Sequence, residues 1–170
     1  MTNLEEYYSS LEHLTGYLAT FLKSQENSTP ISERDKQTTY TQSSEYLTYV
    51  TTYHHTSDFA KFILSLLTQI RPGQSIIDVG CASGFTGLSL TRFGYRNITF
   101  HDFTGLGLEF IGWYAKENKL PLATIPYTNP TAPKYDWVLC TDVLEHTGNH
   151  LGCLKWLESL GDNVALAYPL

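Results

Sequence analysis

The stretch Ser75–Phe85, SIIDVGCASGF, decides the fold. Ile76 and Ile77 form an apolar run that leads into an acid, Asp78. Gly80 and Gly84 then bracket three small residues, Cys81, Ala82 and Ser83. An amphipathic segment, Phe85 to Phe93, follows at once and meets Gly94, a suitable left-handed stop. Strand, small-residue turn and helix in that order are how an open α/β sheet builds a ligand crevice at the carboxyl edge of its strands.

Two further pieces extend the pattern. In Asn97–Phe103, NITFHDF, the residues Ile98, Thr99 and Phe100 favour a strand. Asp102 ends it roughly twenty residues beyond the glycine turn, the offset at which an acid hydrogen-bonds ribose hydroxyls in crevices of this kind. In Lys134–His146, KYDWVLCTDVLEH, the run Trp137–Cys140 reads as a short, fully buried strand.

The spacing of the turn narrows the ligand. A dinucleotide loop reads GxGxxG and needs no acid before it. Here the pattern is Asp78-x-Gly80-x-Ala82-x-Gly84, which disfavours a nicotinamide cofactor. It resembles the first motif, DxGxGxG, of the class I S-adenosylmethionine-dependent methyltransferases, with Ala82 at the middle glycine. The run Asp142-Val143-Leu144-Glu145-His146 looks like the DVLEH signature of methyltransferases acting on small molecules, including the quinone-biosynthesis type. The resemblance covers about Ser75 to Leu170.

That resemblance implies a site. Asp78, Gly80, Cys81, Ala82, Gly84, Phe85, Asp102, Phe103, Thr141 and Asp142 would hold S-adenosylmethionine. The cofactor has no pyrophosphate, so the loop needs only a close backbone approach, which glycine permits. Asp78 would order the loop or reach the ammonium of the methionine moiety. Phe103 would lie against the adenine or in the core. Methyl transfer is an in-line displacement that the protein aligns, so a base is needed only if the acceptor loses a proton. His146, with Glu145 beside it, is the candidate because an imidazole titrates near neutrality. A metal is not expected. Relatives often carry an acid after the third strand; here Ile125-Pro126-Tyr127-Thr128-Asn129 has none, and Thr128, Asn129 or backbone amides would take its place.

Composition sets the bounds. At 170 residues the chain suits one domain with a proper core. The net charge is −6 and no run of Lys and Arg exists, so phosphate-driven affinity is disfavoured and a small-molecule acceptor, not nucleic acid, is expected. Cys81, Cys140 and Cys153 show no CxxC spacing, which argues against a disulfide framework. The N-terminus lacks a basic and then apolar leader, and no apolar run approaches a membrane span. A cytoplasmic protein that does not engage membranes is the expectation.

Leu4, Tyr7, Leu11, Leu14, Leu18 and Phe21 recur at helical spacing and predict a long amphipathic helix. The polar stretch Ser24–Ser44 reads as a loop. Glu45–Thr52 predicts a short helix, and a clearer one begins at Ser57 or Asp58, either able to cap it. Gly105–Asn118 and Leu151–Leu160 are further helices, the latter ending at Gly161. Leu120–Ile125 and Asn163–Ala167 are further strands. The expected fold is α/β: a Rossmann-like, doubly wound, mostly parallel sheet with an N-terminal helical extension. Residues 1–70 would form the extension and lid, with Tyr46, Tyr49 or Tyr53 touching the cofactor, and residues 71–170 the cofactor-binding core. The family's sheet has seven strands, and this chain stops after the fifth, so a homo-oligomer or a partner chain is expected to cover that edge. The rival expectation is a non-catalytic domain of the same fold, serving as a scaffold or cofactor-binding part of a larger methyltransferase.

Overall fold

The computed structural model describes residues 4–25, 43–126 and 134–167. Helix α1 spans Leu4–Gln25, α2 Ser44–Tyr53 and α3 Ser57–Gln69. Strand β1 (Ile76–Val79), helix α4 (Phe85–Arg92), β2 (Ile98–Asp102), α5 (Leu106–Glu117), β3 (Ala123–Pro126) and β4 (Tyr135–Thr141) follow. A single turn of 3₁₀ helix, Leu144–His146, leads to α6 (His150–Leu160) and β5 (Gly161–Ala167).

The helix starts have local causes. The Ser43 hydroxyl accepts a hydrogen bond from the Tyr46 amide at 3.0 Å and so caps α2. Thr56, rather than Ser57 or Asp58, caps α3 by accepting from the Phe59 amide at 3.3 Å. Asn149 caps α6 through the Gly152 amide at 2.9 Å. At its other end α6 passes into β5 with no intervening loop. The helix ends at Gly161 as expected, and that residue is extended (φ −158°) and already the first of the strand.

The five strands lie in the order β3-β2-β1-β4-β5, and every pairing is parallel. Chain order reverses direction between β1 and β4, and a sheet of this type places its crevice at that switch point. Ile76 of β1 stands opposite Ile98 on one side and Trp137 on the other. All four residues of β1 are buried, as expected of a central parallel strand. Strand β3, at one edge, is largely exposed.

Strand alternation splits the core into two layers. Ile76, Ile98, Phe100 and Leu139 pack under the helices of one face, with Tyr7, Leu11, Leu14 and Phe21 of α1 in the same cluster. Ile77, Val79, Val138 and Cys140 face Leu157 and Leu160 of α6. Phe21, from the expected stripe of α1, and Tyr17, outside it, both meet α5: Phe21 lies 5.6 Å from Phe110 and Tyr17 5.1 Å from Tyr114, centroid to centroid. Full burial of each such side chain contributes about 1.5–3 kcal/mol, which fixes α1 against the helices that cover this face of the sheet. Among the described residues no helix is long and apolar enough to cross a membrane.

Candidate ligand cleft

The loop after β1 is held by its neighbours. The Gly80 amide donates to the His101 carbonyl at 2.8 Å, and the Gly84 amide closes a tight turn on the Cys81 carbonyl at 2.6 Å. Gly80 sits at φ +67°, Ala82 at φ +46° and Gly84 at φ +73°, so the loop passes three times through the left-handed region before α4 begins. Glycine enters that region freely; alanine does so at a cost of about 1–2 kcal/mol.

Two aspartates support this loop from different sides. Asp78 is fully buried, and its Oδ2 accepts from the Gly87 amide in the first turn of α4 at 2.9 Å. Its Oδ1 is buried with no hydrogen-bond partner among the described residues. Burial pushes the Asp78 carboxyl up to about 7, against the pull of the Gly87 amide, and nearby Asp102 adds to the rise. Asp102, at the end of β2, accepts from the Ala82 amide through Oδ2 and from the Phe103 amide through Oδ1, both at 2.6 Å. Burial raises its carboxyl as well, while those two amides oppose the rise. Below the loop, Gly107 opens α5, and a Cβ there would collide with the Ala82 carbonyl. Its lack of a side chain lets the helix start pass directly under the loop.

Above the loop runs α2, forming a roof. Between roof and loop lie two adjoining lobes of one cleft. The first, about 330 Å³, is bounded by Leu47, Asp102, Phe103, Gly107 and Leu108. The second, about 430 Å³, is bounded by Tyr49, Val50, His54, Thr86, Thr141 and Glu145. Tyr46, Gly80, Ala82, Asp142 and His146 border both.

The far wall is the segment after β4. Asp142 stands at φ +51° and donates its amide to the Ala167 carbonyl at 3.1 Å. Burial raises its carboxyl; Glu145 adds to the rise and His146 opposes it. Glu145 Oε2 is buried with no hydrogen-bond partner among the described residues. His146 and His150, four apart in sequence, do not share a helical turn, because the 3₁₀ turn ends at His146 and α6 starts at His150. Among the described residues no group of three or more His, Cys, Asp and Glu is placed to hold a metal ion.

The residues singled out from sequence divide into two sets. Gly80, Ala82, Asp102, Phe103, Asp142 and His146 border the first lobe, and Cys81, Thr141 and Glu145 join the second. Asp78, Gly84 and Phe85 stand behind the loop instead: all three are buried, and the Phe85 ring packs 5.6 Å from His54 and 6.4 Å from Phe110. Phe103 is exposed at the rim, not in the core. Burial raises the Cys81 thiol well above its ordinary range and the Cys140 thiol to about 12, consistent with two inert, apolar side chains. Tyr46 and Tyr49 border the cleft as roof residues. Tyr127, Thr128 and Asn129 lie outside the described residues. Sequence reading missed Gly107, Thr86 and His54. Gly107 had a signal, a glycine inside a helix start, whereas nothing local marks His54 as a cleft residue.

Comparisons with known proteins bear on this cleft. No protein-family model matches the chain. It is 35% identical over 77 residues to a ubiquinone biosynthesis O-methyltransferase of Rickettsia akari (strain Hartford), covering 44% of this chain and 30% of that protein. It is 31% identical over 108 residues to a tRNA U34 carboxymethyltransferase of Campylobacter curvus (strain 525.92), covering 59% and 35%. The chain thus spans about a third of the length of these relatives. Among solved structures, an rRNA methylase from Escherichia coli superposes with a TM-score of 0.61 at 16% identity, over 93% of this chain and 60% of that one. Coclaurine N-methyltransferase bound to N-methylheliamine and SAH superposes at 0.55 with 21% identity, over 95% and 49%. The expected Rossmann-like α/β fold is therefore observed, with all five described strands parallel. The expectation of no nucleic-acid partner is corrected. One sequence relative is a tRNA U34 carboxymethyltransferase, and a solved structure that shares this fold is an rRNA methylase. Net charge averages over a whole surface and does not decide what one cleft admits.

Proposed function

We propose that the cleft binds S-adenosylmethionine and that the chain is the cofactor-binding core of a methyltransferase. The observation that carries this reading is the Asp102 carboxylate at the end of β2. It is joined to the Ala82 amide of the glycine loop and borders the first lobe beside Phe103 and Leu108. An acid so placed suits ribose hydroxyls, and the apolar rim beside it suits a base. Gly80 and Ala82 would approach the cofactor through their backbone, and Thr141 and Asp142 would close the second lobe. Asp78, Gly84 and Phe85 would act from behind by shaping the loop. The N-terminal helices would serve as the lid.

When bound, the cofactor supplies an electrophilic methyl group; the chain aligns it and excludes water. Glu145 and His146 border the second lobe, where an acceptor can approach. Either can take a proton from an acceptor hydroxyl or amine as the new bond to carbon forms. The finer reading is a small acceptor, supported by the α2 roof that narrows access and by the Asp142–His146 run.

Isothermal calorimetry with S-adenosylmethionine and S-adenosylhomocysteine tests the cofactor. Micromolar binding that Asp102→Ala weakens at least tenfold supports the reading; no binding to the wild-type chain overturns it. A methyl-transfer screen then separates acceptors. Turnover of small phenols, catechols or amines supports the finer reading, and turnover of rRNA or tRNA alone overturns it.

A further inference from the structure

His54 closes α2 and takes no part in the proposal above, yet both of its ring nitrogens lie within hydrogen-bond distance of a partner. It packs against Phe59 and Phe85, with centroids 4.2 and 5.6 Å away. Nδ1 lies 3.2 Å from the Val50 carbonyl oxygen, and Nε2 lies 3.3 Å from Thr86 Oγ1. Thr86 Oγ1 lies in turn 3.2 Å from Thr141 Oγ1. One chain of hydrogen bonds therefore joins the roof, the first turn of α4 and the end of β4.

The direction of that chain follows from donor counting. A carbonyl oxygen only accepts, so Nδ1 carries the proton. Burial keeps the imidazole neutral, which leaves Nε2 as an acceptor. Thr86 must then spend its only hydroxyl proton on Nε2. Thr141 must donate to Thr86, and its remaining lone pairs are left for whatever occupies the second lobe. The same burial argues against a base at the end of a proton relay, because a ring that resists protonation is a poor proton sink.

We infer that His54 is a positioning residue: its neutral ring fixes the Thr86–Thr141 hydroxyl pair in one orientation and pins α2 over the cleft. The second lobe then presents hydrogen-bond acceptors, Thr141 and the Glu145 carboxylate, and selects a ligand group that donates. This inference rests on the cleft being the ligand site proposed above, but the latch itself exists without ligand.

The test uses Thr86→Val, which keeps the shape and removes the hydroxyl, with Thr86→Ser as the conservative variant and His54→Phe as the partner change. Three readouts apply. In ligand-free protein at pH 7, ¹⁵N NMR of the His54 ring should show an unprotonated Nε2 and a protonated Nδ1. Amide hydrogen exchange of residues 44–53 should speed up about tenfold in Thr86→Val and return to the wild-type rate in Thr86→Ser. S-adenosylhomocysteine affinity should fall about tenfold in Thr86→Val and no further in the His54→Phe/Thr86→Val double variant. A protonated Nε2, or unchanged exchange in Thr86→Val, overturns the latch. If the wild-type chain binds no S-adenosylhomocysteine, the cofactor reading falls, while the NMR and exchange results still decide the role of His54.

Discussion

Asp102 Oδ2 accepts a hydrogen bond from the Ala82 amide at 2.6 Å, tying the end of β2 to the loop that leaves β1. Ala82 is also the loop's non-glycine residue at positive φ. The acid thus holds the strained residue in place while bordering the lobe proposed for the cofactor.

Loss of that link should be felt twice. A hydrogen bond to a charged group contributes about 1.5–3 kcal/mol. Asp102→Ala should lower the urea-unfolding free energy by an amount in that range and weaken S-adenosylhomocysteine at least tenfold. Asp102→Asn, which keeps one acceptor, should retain more stability than affinity. Equal losses in both properties for both variants would refute the dual role.

Ala82→Gly should stabilise the protein slightly. The left-handed conformation costs alanine about 1–2 kcal/mol, and the added freedom of an unfolded glycine takes back about 0.4–1 kcal/mol. The net gain is between about 0 and about 1.6 kcal/mol, measurable as a raised urea midpoint at unchanged slope. A lowered midpoint would mean that the methyl group packs favourably and outweighs the backbone strain.

Gly107→Ala should act on the loop rather than on α5. The added methyl meets the Ala82 carbonyl, which is backbone and cannot rotate away. An overpacking cost of about 1–3 kcal/mol should come with faster amide exchange at residues 80–84 and weaker S-adenosylhomocysteine binding. An unchanged loop with a frayed α5 would place the strain elsewhere.

Two buried groups should make stability depend on pH in opposite senses. The His54 value falls from 6.5 to about 4 on folding because of burial, with His55 adding to the fall and the Val50 carbonyl opposing it. Between those values the unfolded chain binds more protons, so this contribution is complete above pH 6.5 and is lost as pH falls through 4. Asp78 rises from 3.8 to about 7. There the folded chain binds more protons, so its contribution is complete below pH 3.8 and is lost as pH rises through 7. Each slope is at most about 1.4 kcal/mol per pH unit. Asp102 faces Asp78, and Glu145, Asp142 and His146 border the lobe that His54 lines. Urea midpoints from pH 4 to 6.5 should fall with rising pH in His54→Phe and rise in Asp78→Asn. Parallel profiles in the two variants would contradict this assignment.

Much of the scaffold was legible along the chain because its signals are local. Ser75–Phe85 carries a strand, a turn and a helix start within eleven consecutive residues, and the stripe from Leu4 to Phe21 needs only helical periodicity to be recognised. The same holds for Asp102 at its fixed offset and for the Asp142–His146 run. The start of α3 shows the limit: Thr56, Ser57 and Asp58 can all cap, and only the backbone at Thr56 (φ −76°, ψ 150°) selects one.

The sequence by itself determined the strand–turn–helix succession, the parallel sheet it implies and the acids that end its strands, because period and spacing survive without a third dimension. Tertiary structure alone decided which of those residues face the cleft. Asp78 turns inward to the Gly87 amide and Asp102 outward to Ala82, although both are acids near strand ends. His54 meets Thr86 across 32 residues and Thr86 meets Thr141 across 55. Contacts at such separations are set by how layers pack, and no local pattern encodes them.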